Sequence, residues 1–130
     1  MGAQEAMRTP RSRRDFKYED AVEALLEYVP ALQDGYERER SRSHPDPPGA
    51  YIVYEDVLRP HLVHLLTDEK AEALSQLFDF VELLANSTDE RLHDLVRIAV
   101  LTPLVGEPGL KKAKRCMGPT TRRFLSMVTQ

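Results

Sequence analysis

Two histidines three positions apart, His61 and His64, fall on one side of a helix, a spacing that suits a pair of metal ligands. No third ligand is tied to them. Glu55 and Asp56 lie about a turn upstream, on the other side of Pro60. The pair is therefore read as surface or tyrosine-packed histidines, and no metal is expected. Asp79 and Glu82 form a second candidate, because two carboxylates on one helix face can divide general acid and base roles. No nucleophile, glycine-rich phosphate loop or third acid accompanies them by spacing. They are read as a solvent stripe, as partners of an arginine such as Arg91 or Arg97, or as part of a protein-binding surface. Neither a catalytic residue nor a cofactor is expected, so the chain is read as a non-enzyme.

The C-terminal run Lys111, Lys112, Lys114, Arg115, Arg122 and Arg123 invites a nucleic-acid reading. Two short helices joined at Met117-Gly118-Pro119 resemble a helix-turn-helix in outline. Against this, no aromatic interleaves the cations for base stacking, and the rest of the chain would repel phosphate. Cys116 lies among these cations, which favour a thiolate if it is exposed; a buried packing thiol is the alternative.

The formal net charge of −3 hides a strong asymmetry. Residues 1–14 carry four arginines against Glu5, and residues 105–130 carry six cations against Glu107. Between them, residues 15–104 hold eight basic and nineteen acidic side chains, a balance of −11. Such a field governs partner choice and association rate rather than fold. The N-terminus has no apolar h-region, Ala6 stands where myristoylation wants Ser or Thr, and the single cysteine cannot close an internal disulfide. These features predict a cytoplasmic protein with no membrane partner.

The elements that must position these residues are helical. LSQLFDFVELLA, residues 74–85, is apolar around most of its circumference, with Ser75, Asp79, Glu82 and Asn86 forming a narrow polar stripe. It predicts a central helix covered on several sides. Upstream, Ala21, Leu25, Tyr28, Val29 and Leu32 keep helical spacing until Pro30 ends or bends the helix. ALQDGYERERSR continues it for about two turns, and the proline-rich 41–50 segment reads as a loop. Tyr51–Tyr54 is either extended or the start of the next helix, and Pro60 either opens or kinks the helix that carries Leu62, Leu65 and Leu66. The tripeptide Thr-Asp-Glu occurs at 67–69 and 88–90, each before a helix, and Ser87 with Glu90 has capping-box spacing. This echo sets Leu74 opposite Leu95 and Leu77 opposite Ile98, and is read as a coincidence of common capping chemistry rather than a repeat. Residues 1–14 are expected to be a flexible basic arm. Residues 15–130 are expected to be one all-α domain, a bundle or short repeat-like array of five to six helices.

One further pattern combines these pieces. The run "apolar-F-D-F-apolar-E" followed by an "M-G-P-x-T" turn is met here by Phe78, Asp79, Phe80, Glu82, Met117, Gly118, Pro119 and Thr121. Over residues 50–130 it resembles a group of small bacterial helical proteins of the kind found as immunity partners of polymorphic toxins. The resemblance implies a protein that binds and neutralises one cognate toxin, and it transfers no catalytic residues. A basic, nuclease-like toxin would attract an acidic body. On that reading Asp79, Glu82, Asp89, Glu90 and Asp94 are the expected partner-binding carboxylates.

Overall fold

The computed structural model describes residues 15–68 and 71–129, so the arm expected at 1–14 lies outside the described residues. The segment predicted to be central forms α4, Ala71–Ala85. Its Leu74, Leu77, Phe78, Phe80, Val81 and Leu84 are all buried. Each such side chain contributes about 1.5–3 kcal/mol when fully removed from water, so the helix is stable only where neighbours cover it. Five helices do so, and the remaining elements are introduced in chain order around it.

A 3₁₀ turn, Tyr18–Asp20, leads into α1, Ala21–Tyr28. Pro30 opens a second 3₁₀ turn, Pro30–Leu32, which runs into α2, Gln33–Ser43. The proline thus splits one apolar pattern into two helices, which raises the count to seven against the five to six expected. The loop is shorter than 41–50, since α2 continues through Ser43 and Ala50 already begins the next helix. That helix, α3, comprises Ala50–Val53, a π-helical turn Tyr54–Leu58 and Arg59–Thr67 without a break. Residues 51–54 are therefore helical, and Pro60 neither starts α3 nor stops it. The Arg59 N–H reaches back five residues to the Tyr54 carbonyl, and this wider turn accommodates the donor that Pro60 lacks.

Helix α5 repeats the device. Glu90–Leu95 passes into a π-helical Val96–Leu101, and the Thr102 N–H bonds Arg97 O immediately before Pro103. A 3₁₀ turn, Thr102–Leu104, then closes the helix. On an unbroken α-helix Leu101 would fall on the face opposite Leu92. The π turn takes up the extra residue, so both are fully buried. Ile98, one of the apolar residues of this helix, is 51% exposed. The two π turns pack against each other, and Tyr54 from the first donates its buried hydroxyl to Ala21 O at 2.8 Å.

Two short helices finish the chain, α6 (Leu110–Cys116) and α7 (Pro119–Val128). Helix α4 packs on α1, α3, α5, α6 and α7. The protein is an all-helical single domain, with no strand among the described residues.

Candidate functional site

The polar stripe of α4 leads to the N-terminus of α7. Gly118 is the N-cap and Pro119 occupies the first turn, leaving the Thr120 and Thr121 N–H groups without helical partners. Glu82 supplies them. Its Oε2 accepts from Thr120 N at 3.1 Å, and its Oε1 accepts from Thr121 N at 2.9 Å and the Thr121 hydroxyl at 2.7 Å. Asn86 donates to Glu82 at 3.2 Å and accepts from the Thr120 hydroxyl at 2.6 Å. Partial burial pushes the Glu82 carboxyl upward, but the Thr121 and Thr120 hydrogen bonds outweigh it and hold the group below its ordinary 4.5. Gly118 has an ordinary extended backbone, so conformational freedom is not its role. A Cβ there would lie 2.6 Å from Glu82 Oε1, and only glycine admits the carboxylate this close. The F-D-F-x-E and M-G-P-x-T motifs are thus two halves of one contact.

A second cluster gathers at the start of α5. Asp89 caps the helix by accepting from Arg91 N at 3.0 Å, so the cap is Asp89 rather than a Ser87–Glu90 box. Ser87 instead accepts from Asp89 N and donates to Phe16 O at 2.5 Å. Residues 15–20 form a strap across this corner. Asp15 accepts from Thr88 N at 2.9 Å and from the Thr88 hydroxyl, and Tyr18 N donates to Asp89 Oδ2 at 2.8 Å. Arg91 bonds Asp89 at 2.8 Å and Glu19 at 2.9 Å, and lies 5.3 Å over the Tyr18 ring. Hydrogen bonds from Thr88 depress the Asp15 carboxyl, and those from Arg91 and the Tyr18 backbone depress Asp89. Phe16 anchors the strap, buried edge-on against Tyr28 and Phe80. At the first copy of the echo, Thr67 donates back to Val63 O and Asp68 pairs with His64 at 2.8 Å, while Glu69 lies outside the described residues.

The five candidate carboxylates therefore separate. Glu82 and Asp89 are committed to helix termini. Asp79 and Glu90 are exposed and make no ion pair among the described residues, and Asp94 pairs with Arg97. Glu82 does not meet Arg91 or Arg97, whose partners lie elsewhere. Glu90 and Asp94 come together with Thr88, His93 and Arg97 around a hollow of about 330 Å³. Tyr18 and Tyr51 pair elsewhere on this side of the fold, ring centroids 6.4 Å apart, and burial first, then the Asp94 charge, pushes the Tyr51 hydroxyl upward. These tyrosines were invisible as a pair, being 33 positions apart on separate elements.

His61 and His64 both line an open groove of about 760 Å³ between α2 and α3, with Arg38, Glu39, Asp56 and Arg59. Burial and the neighbouring His64 lower the His61 value, favouring the neutral ring. Among the described residues no three His, Cys, Asp or Glu side chains converge on a metal position. Cys116 is half-buried on α6. Arg122 Nε donates to Lys114 O at 3.2 Å, bringing the two basic helices together, while Lys112 turns to Leu66 O at 3.2 Å. Glu82 is seated on the first turn of α7, the second of these two helices. No helix of the described residues is long and apolar enough to cross a membrane.

No curated protein and no solved structure matches the chain. A family model described as Domain of unknown function (DUF7674) matches residues 22–129, which include both halves of the Glu82 contact and leave the strap outside. The match takes in most of the sequence, and the chain belongs to that family.

Proposed function

We propose that this chain is a non-enzymatic protein-binding module of the cytoplasm, in its concrete form an immunity protein that neutralises a cognate bacterial toxin. The observation that carries the reading is the −11 charge balance of residues 15–104, combined with the resemblance of the F-D-F-x-E and M-G-P-x-T pattern to such proteins. An acidic body is steered toward a basic cleft such as a nuclease active site, and steering raises association rates by about 10- to 1,000-fold. The binding residues are Glu90, Asp94, Tyr18 and Tyr51, with Asp79 as a further exposed carboxylate. Tyrosine and arginine next to carboxylates suit a protein interface, because they offer large rigid contact area with polar ends. Glu82 and Asp89 serve the same surface indirectly, by holding its helices. The test is inhibition of toxins encoded beside this gene. Equimolar protein should abolish the activity of one of them, whereas full activity of every neighbouring toxin would contradict the proposal.

A further inference from the structure

Among the described residues, some cations sit on carboxylates and others do not. Lys17, Arg40, Arg42, Arg91 and Arg97 each sit on a carboxylate. Among the described residues, Lys111, Lys114, Arg115, Arg122 and Arg123 make no ion pair, and all five are exposed. Their spacing is helical: Lys111, Lys114 and Arg115 share the outer face of α6, and Arg122 and Arg123 share that of α7. The Arg122–Lys114 O bond sets the two stripes side by side. We infer that this joint face of α6 and α7 docks the phosphate backbone of nucleic acid without reading its base sequence.

The chemistry selects that partner over other anionic surfaces. Phe124 is the one aromatic among residues 105–130, and it is buried beneath Arg97, 5.7 Å from its ring, so nothing on this face stacks on a base. What remains is a patch of guanidinium and ammonium groups, which contacts phosphate and fixes position rather than sequence. An anionic membrane fits less well, because interfacial helices insert an apolar face, and here Ala113, Met117, Phe124 and Leu125 are turned into the core. The acidic body, at −11 with its ion pairs already counted, opposes docking, and that opposition is screened over about 8 Å at physiological salt.

The inference is independent of toxin neutralisation, and its test needs no toxin. Fluorescence anisotropy would follow binding of a labelled DNA duplex of about 20 base pairs between about 50 and 200 mM salt. Five phosphate contacts predict a log–log salt slope of about −4.5, equal for two unrelated sequences. Lys111→Glu/Arg115→Glu/Arg123→Glu leaves the Arg122 and Lys112 hydrogen bonds in place and should bring the slope to about −2 or shallower. If that variant misfolds, the three glutamine substitutions provide the same comparison. No binding at the lowest salt, or binding untouched by both variants, would overturn the inference. Capture by phosphatidylserine vesicles but not by the duplex would overturn it in favour of a membrane, and a strong sequence preference would overturn the claim of backbone-only contact.

Discussion

Glu82 accepts two backbone N–H groups and a hydroxyl from α7, so its charge belongs to a helix terminus. Losing such a cap costs about 0.5–2 kcal/mol. The sign of its pH dependence follows from the lowered folded value. The stabilisation is fully present above the ordinary 4.5 and is lost as pH falls through the lower folded value. Asp15 and Asp89 act in the same direction below their ordinary 3.8. Urea unfolding midpoints should therefore decline gently below about pH 6.5, where burial and His64 resist protonation of His61, and further below about 4.5 as these carboxylates protonate. In Glu82→Gln the decline should be shallower, and an identical acid profile would show that the carboxylate is not ionised for α7. Sequence spacing placed Glu82 correctly on the polar stripe of α4. Its partner was illegible, because Thr120 and Thr121 are almost forty positions away and the hydrogen bonds depend on how α7 docks.

Among elements, the strap and the π turns depart furthest from what periodicity conveys. Phe16 is a lone aromatic after a run of arginines, with no repeating pattern around it, yet it is buried to 1% exposure. Phe16→Ala should cost about 3–5 kcal/mol, the usual range for a large aromatic removed from a core. Amide exchange should rise at Thr88 and Asp89 as the strap lifts. A loss under about 0.5 kcal/mol would mean that the strap rests on the surface without anchoring it. In α5 the 3.6-residue period identified Leu92 and Leu95 as core but could not place Leu101 inside and Ile98 outside. That exchange depends on one extra residue per turn before Pro103. Leu101→Ala should cost about 2–5 kcal/mol, and Ile98→Ala less than about 1 kcal/mol, in urea titrations. The reverse order would restore an uninterrupted α-helix.

Across the whole molecule, the carboxylates divide into Glu82 and Asp89, which hold helix termini, and exposed ones such as Glu90 and Asp94 that can meet a partner. Glu90→Lys/Asp94→Lys should leave the unfolding midpoint nearly unchanged, since exposed ion pairs contribute only about 0–1 kcal/mol. The same variant should slow toxin association about tenfold or more, seen as a lower on-rate in surface plasmon resonance. The helical class and the central helix were legible because hydrophobic spacing reports burial. The division of labour among acids was not, because charge in a sequence does not say which hydrogen bonds it receives. The most direct measurement is a double-mutant cycle between α4 and α7, using Gly118→Ala and Glu82→Ala in urea unfolding. Gly118→Ala should destabilise the wild type by about 1–3 kcal/mol, the cost of overpacking, and the Glu82→Ala background by less than about 0.5 kcal/mol, because the carboxylate it would strike is gone. Equal costs in both backgrounds would contradict the claim that these residues form one contact.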